Sequence, residues 1–224
     1  MPARKLAPWT AVYCTEQSHG RGRFNRAWFG AQGGLWVCYN IPLDDASNLH
    51  WGILPFIAGA ALIDSLQDYK IDGLRLRWPN DLMVGRMKLG GILVERPSKS
   101  MASIGIGLNM FNSMEQLEGK TTDRPTRLYD HVKKCPSVEV MCMKLADTIT
   151  EHYEAFLAKG PKPVISNLEK AWNGHRPVVA ITDKERFCGI FEGIAHDGSP
   201  ILRHADNRTT TVPGIEINRL QELD

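Results

Sequence analysis

The stretch Arg77-Trp78-Pro79-Asn80-Asp81-Leu82-Met83-Val84-Gly85-Arg86-Met87-Lys88-Leu89-Gly90-Gly91 constrains the chain more than any other. Leu74–Trp78 has strand character. Pro79 ends that strand, because it lacks an N–H, and holds Trp78 extended. Leu82–Val84 and Lys88–Glu95 then read as a hairpin around Gly85-Arg86, a two-residue turn that glycine favours. The hairpin carries an acid–amide pair, Asn80-Asp81, at its entrance and a single lysine, Lys88, on its return. Upstream lies a basic, glycine-interrupted segment, Gly20-Arg21-Gly22-Arg23.

Around this hairpin the pattern predicts an α+β chain. Thr10–Cys14 and Leu35–Tyr39 read as strands, with Gly20–Gly34 between them as a glycine-rich loop. Asn48–Tyr69 reads as a helix with Ile57, Ala61, Leu62 and Leu66 in a stripe and Pro55 near its front. Ser103–Met110 alternates as a further strand, and 111–136 is polar and irregular. Val138–Leu157 is a strong amphipathic helix, with Val138, Met141, Leu145, Ile149, Tyr153 and Phe156 on one side. Pro163–Trp172 is a shorter second helix. After Arg176 the character changes to short strands separated by turn signals, spaced as in a small barrel of roughly five strands. Such a unit is marginal alone and is expected to pack on the main domain. The predicted organisation is a main domain over 1–175 and a small barrel domain over 176–224.

Bulk properties narrow the function. A net charge of +2 among 224 residues is too mild to demand a nucleic-acid partner, so any positive field must be local. No window reaches the ~18 apolar residues a membrane helix needs, and the N-terminus lacks a signal-peptide core. The five cysteines form no Cys-x-x-Cys pair, which suits free thiols in a reducing cytosol. The seven histidines are dispersed, which argues against zinc.

Each segment that can carry chemistry also has a plainer reading. In Gln17–Trp28, glycines let the backbone approach an anion and arginines supply bidentate donors. Arg21, Arg23 and Arg26 repel one another unless an anion sits among them; the same residues suit a solvated basic loop or an RNA-contact turn. Asn80 can hydrogen-bond a nucleotide or sugar and Asp81 can hold Mg²⁺, or both can simply cap a turn. Lys88 can reach a carboxylate and the phosphate it attacks, with Gly90 and Gly91 leaving room for a ring; the plain alternative is an edge-strand lysine that blocks aggregation. Gly105-Ile106-Gly107-Leu108-Asn109 suits close packing of a flat ligand whose edge Asn109 reads, or close packing of a neighbouring element.

In order and spacing, Glu16–Arg23 with Arg26-Ala27-Trp28, Arg77–Asp81 with Lys88–Leu93, and Gly105–Asn109 resemble the biotin protein ligase family. The closing Gly214-Ile215-Glu216-Ile217 resembles it too, so the resemblance runs from about residue 11 to about 222. It implies a class II synthetase-like catalytic domain, a mixed sheet backed by helices, with an SH3-like C-terminal β-barrel. It implies biotin and ATP as substrates, Mg²⁺ as cofactor, a biotin carboxyl carrier domain as partner, a cytoplasmic setting and a homodimer built on a sheet edge. Related lipoate or octanoyl ligases, and degenerate relatives that bind biotin or nucleotide without ligating, are the alternatives. By position, the resemblance assigns Lys88 and Arg23 to catalysis. It assigns Gln17, Gly20, Arg21, Gly22, Arg23, Lys88 and Gly91 to biotin. It assigns Arg23, Arg26, Trp28, Asn80 and Asn109 to ATP and the adenylate, and Asp81 to the metal.

The chain departs from the family pattern at named positions. The Ser-Thr-Asn-type segment that precedes the first strand in the family is not matched by Met1–Trp9. Arg77 stands where the family usually has lysine, which keeps charge but not geometry. Phe24 and Asn25 stand where an arginine and a glycine are usual. The segment ahead of the first strand is too short for a winged helix, so repressor activity is not expected.

Overall fold

The computed structural model describes residues 7–43, 52–115, 121, 123–172 and 175–223. Its main sheet has six strands in the order β1-β4-β8-β7-β6-β5: β1 (Thr10–Cys14), β4 (Leu35–Pro42), β5 (Leu74–Arg77), β6 (Asp81–Val84), β7 (Met87–Ser98) and β8 (Met101–Leu108). All the pairings between these strands are antiparallel. Among the described residues, the mixed character expected of the sheet is confined to one isolated parallel bridge, between Lys88 and Pro125.

The two faces of the sheet differ because the side chains alternate. On β4, Leu35, Val37, Tyr39 and Ile41 enter the hydrophobic core, whereas Trp36 and Cys38 line an open cleft. On β8, Ile104 and Leu108 are core, and Ser103, Gly105 and Gly107 line the cleft. Three helices cover the core face. Helix α1 (Leu54–Leu66) is apolar nearly all round and is buried, as such a helix must be. Gly59 lets it close on β5, since a Cβ there would stand 2.7 Å from Leu76. Of the predicted helix from 48, residues 48–51 lie outside the described residues.

Helix α2 (Val138–Lys159) buries Met141, Leu145, Ile149, Tyr153 and Phe156, the predicted face. Ser137 caps it by accepting from Val140 N–H, and Gly160 at φ 72° ends it. The Tyr39 and Tyr153 hydroxyls donate to the carbonyls of Cys142 and Pro42, tying α2 to β4. Helix α3 (Lys162–Ala171) follows as expected.

The segment read as a loop over 20–34 is instead a hairpin. Its strands β2 (Gln17–Arg21) and β3 (Ala27–Gly30) pair with each other, outside the main sheet. A 3-10 turn at Arg23–Asn25 joins them. The C-terminal strands β9 (Arg176–Thr182), β10 (Arg186–Ile194), β11 (Pro200–Arg203), β12 (Thr209–Thr211) and β13 (Ile217–Glu222) form one antiparallel sheet ordered β12-β11-β10-β9-β13. Among the described residues β12 and β13 are its edges, so the expected barrel is not closed. The sheet docks on the main domain, as expected of a unit this small. Trp78 Nε1 donates to Gly198 O at 3.0 Å, and Arg75 makes a bidentate pair with Glu222 at 2.7 Å.

Candidate functional site

The β2–β3 hairpin, the open sheet face and the end of β13 enclose a cleft of about 1310 Å³. Gln17, Gly20, Arg21, Gly22, Arg23, Arg26, Trp28, Asn80, Asp81, Lys88 and Gly91 all line it, so segments far apart in sequence share one space.

Lys88 reaches the cleft through a break in register. Leu82 pairs with Gly90 but Met83 pairs with Lys88, so Leu89 is an extra residue on β7. Such a bulge turns a side chain over. Leu89 is buried in the core while Lys88 joins Gly91 on the cleft side. The main chain of Lys88 is strapped on its other side: its N–H donates to Arg124 O (2.8 Å) and its C=O accepts from Thr126 N–H (2.9 Å). Its ammonium sits 2.5 Å from Asp81 Oδ1 and 5.5 Å from the centre of the Trp28 ring.

Asp81 is shared. Its Oδ2 accepts from Arg77 Nη2 at 2.5 Å, and Arg77 also grips both oxygens of Asp123, at 2.8 and 2.6 Å. Burial opposes the Arg77 charge, but its hydrogen bonds to Asp123 and the charge of Asp81 outweigh that and hold the guanidinium above its usual range. Burial would raise Asp123, yet Arg77 holds it below the ordinary carboxylate range, with smaller help from Lys88 and Arg219. Arg23 lies with its guanidinium 5.8 Å from the Trp78 ring. Burial draws its charge below the usual range; Asp81 opposes this and Arg26 adds to it. A half-buried arginine beside another arginine is a place where an anion is stabilised.

Trp28 packs directly on the sheet. A Cβ on Gly107 would stand 2.6 Å from its indole, and one on Gly91 3.1 Å away. The flat partner read into Gly105–Asn109 is thus, at Gly107, a tryptophan of the chain itself. At Gly20, a Cβ would stand 2.4 Å from Trp28 O, so only glycine lets β2 approach β3 there. Phe24 and Asn25 both have positive φ, 55° and 56°. Asn adopts that conformation readily, whereas a bulky Phe adopts it at a cost. The Phe24 ring lies 5.0 Å from the Arg23 guanidinium and 5.7 Å from that of Arg26, so it holds together two cations that would otherwise diverge. Arg21 pairs with Glu95 at 3.5 Å in solvent.

Asn109 lies off the cleft, and Asp81 lies in it but is already paired. Asn109 is buried, donates to Thr126 O and accepts from Asn112, and it does not line the cleft. Its amide is consumed in holding the strap beside Lys88. Asp81 has a cation on each oxygen, which disfavours a divalent ion at the same place. Among the described residues no cluster of three or more His, Cys, Asp or Glu is arranged to hold a metal. Asn80 also donates its side-chain N–H to Ile92 O, at 2.7 Å. Asp123 was missed because it lies in the irregular stretch with no periodicity. A carboxylate one residue before Arg124-Pro125 was its only signal.

Lys88, Arg23 and Arg26 thus face one cleft on a helix-backed antiparallel sheet. A profile of the Biotin/lipoate A/B protein ligase family matches residues 3–109. The chain is 31% identical over 204 residues to the bifunctional ligase/repressor BirA of Escherichia coli, covering 88% of this chain and 63% of that protein. It is 28% identical to the biotin–[acetyl-CoA-carboxylase] ligase of Paracoccus denitrificans, covering 96% of this chain and 94% of that one. The solved biotin protein ligase of Aquifex aeolicus in complex with biotin and ATP superposes with a TM-score of 0.84 over 99% of this chain and 93% of that one, at 23% identity. The chain thus spans about 63% of the length of the BirA relatives. The matched profile is that of the Biotin/lipoate A/B protein ligase family, and the relatives the chain resembles along most of its length are biotin ligases.

Proposed function

We propose that this chain activates biotin with ATP and transfers it to a lysine of a biotin carboxyl carrier domain. In the first step a biotin carboxylate oxygen attacks the α-phosphorus, a new P–O bond forms, and pyrophosphate leaves. In the second, the carrier amine attacks the acyl carbon of biotinyl-5′-AMP, AMP leaves, and the amine loses a proton. The reactants of the first step are both anions, so their repulsion must be cancelled before a bond forms. The observation that carries this reading is that Lys88, Arg23 and Arg26 line one cleft with the glycine-lined wall of β2.

Lys88 would bridge the carboxylate and the α-phosphate, Arg23 and Arg26 would take phosphate charge, and Trp28 would shield the adenine side. Gln17, Gly20, Arg21, Gly22 and Gly91 would receive biotin, and Asn80 the nucleotide. Closure of the β2–β3 hairpin would keep water from the mixed anhydride. Mg²⁺ would enter with the ATP phosphates, as part of the substrate. We assign residues 1–175 to the catalytic unit and 176–224 to an incompletely closed SH3-like module. The proposed setting is the cytoplasm; separately, among the described residues no helix is long and apolar enough to cross a membrane. A homodimer would form along an edge of the main sheet, and we infer edge strand β1, where Val12 and Tyr13 are exposed.

The test is a reaction of the purified protein with biotin, Mg-ATP and a carrier domain. Pyrophosphate release and a biotinylated carrier lysine are expected. Biotin binding without pyrophosphate would replace this reading with a non-ligating relative, and preference for lipoate would replace it with a lipoate ligase.

A further inference from the structure

The strap that pairs with the main chain of Lys88 also carries Asp123, and Asp123 is joined to the Lys88 ammonium through two other charges. The order is Asp123, Arg77, Asp81, Lys88, with each link between 2.5 and 2.8 Å. Side-chain exposure falls between 14% and 24% at all four, so water screens these links only in part.

The geometry of Arg77 matters here. Arg77 and Asp81 stand directly opposite each other on β5 and β6. A guanidinium is a two-armed donor that prefers to engage both oxygens of one carboxylate. Left alone beside Asp81, the fork would take Oδ1 as well as Oδ2, and Oδ1 is the atom that holds Lys88. Asp123 prevents this. Arg77 Nη1 donates to Asp123 Oδ1, and Nη2 divides itself between Asp123 Oδ2 and Asp81 Oδ2. An ammonium at position 77 has no fork and needs no such restraint.

We propose that Asp123 is a positioning residue: by occupying the Arg77 fork it reserves one oxygen of Asp81 for Lys88, and so aims the Lys88 ammonium into the cleft. The proposal deepens the ligase reading and rests on it for its catalytic consequence. Asp123 lines the same cleft, but the role assigned to it runs through Arg77 and Asp81. The arginine at position 77 and the aspartate at position 123 are therefore one device.

The experiment is a double-mutant cycle. Single-turnover pyrophosphate release from biotin and Mg-ATP is measured for the wild type, Asp123→Asn, Arg77→Lys and the double variant. Asp123→Asn is expected to slow adenylation by roughly tenfold, within the range of coupled neighbours. In the Arg77→Lys background the same change should alter the rate less than about twofold, because no fork remains to be restrained. Equal losses in both backgrounds would overturn the proposal and leave Asp123 as a brace for its loop. A second measurement is independent of turnover: acetic anhydride labelling of Lys88 in the ligand-free protein, read by mass spectrometry. Labelling should rise several-fold in Asp123→Asn and stay at the wild-type level in the double variant; no rise in Asp123→Asn overturns the idea. Asp123→Ser, with a short polar side chain and no charge, must behave as Asp123→Asn does, and a loss of cooperative melting in both backgrounds also overturns it. Should the wild type release no pyrophosphate, the ligase reading fails, while the labelling still decides the role of Asp123.

Discussion

Gly107→Ala tests whether Trp28 belongs to the cleft floor. The added Cβ would stand 2.6 Å from two indole carbons and 2.7 Å from Nε1. Carbon pairs settle at about 3.5–4.0 Å, so one partner must retreat by roughly 1 Å. The strand cannot, because Gly107 lies between Trp36 on β4 and Gly91 on β7 in the centre of the sheet. The indole can, because β3 pairs with β2 alone. Overpacking of this kind costs about 1–3 kcal/mol. Since the hairpin gives way before the sheet does, most of that cost is expected in hairpin order and little in global unfolding. Ligand binding that requires the hairpin to close would weaken by about 5- to 150-fold, the equivalent of the same energy. Titration calorimetry with biotinyl-adenylate measures that loss, and thermal unfolding should fall by only a few degrees. Gly105→Ala is the contrast: its Cβ would meet nothing nearer than Leu93 O at 3.4 Å, so its stability should stay within about 0.5 kcal/mol of wild type. Wild-type affinity in Gly107→Ala, with Trp28 as shielded from solvent quenchers as before, would remove Trp28 from the site.

Lys88→Ala should slow adenylation by about 10²-fold or more, as loss of a preorganised charge donor does; a near-normal single-turnover rate would take Lys88 out of the chemistry. The Arg77–Asp123 clamp predicts an acid limb in stability. Asp123 has a depressed folded pKa, so its contribution is full above the ordinary carboxylate range and is lost as the pH falls through the folded value. Urea midpoints between pH 2 and 6 should fall less steeply in Asp123→Asn than in wild type. Glu222→Ala leaves the Arg75 guanidinium, 3% exposed, without its carboxylate, and should cost about 3 kcal/mol or more in chemical denaturation, with the C-terminal sheet loosening first. Burial pushes Cys135 up to about 11, so iodoacetamide at pH 8 should alkylate it well after the exposed Cys188.

Legibility from sequence followed the range of the interactions. Helix α2 and the β6–β7 hairpin were readable because each is set by local terms: a stripe at helical spacing in the first, a glycine turn at φ 57° in the second. The residues that share the cleft were named by the family resemblance; residue type and spacing alone left each segment a plainer reading. What escaped depends on contacts between distant segments. Periodicity gave no sign of the bulge at Leu89, since an extra residue in a strand is visible only once its partner's register is known. Yet the bulge is what turns Lys88 from a core-facing position to the cleft. The β2–β3 hairpin was hidden by its glycines, which look like loop until Trp28 supplies the surface they must approach. Asp123 was hidden most thoroughly, because nothing local gives it meaning; its role exists only through the Arg77 fork. Asn109 is the converse case. The resemblance gave it to the adenylate, while residue type alone left ligand and neighbour packing both open; β8 ends at Leu108, and Asn109 hydrogen-bonds Thr126 and Asn112. Position along a strand predicts the facing of a side chain only while the strand continues, and in this chain the residues nearest the proposed chemistry sit where strands bulge, end or are strapped from outside.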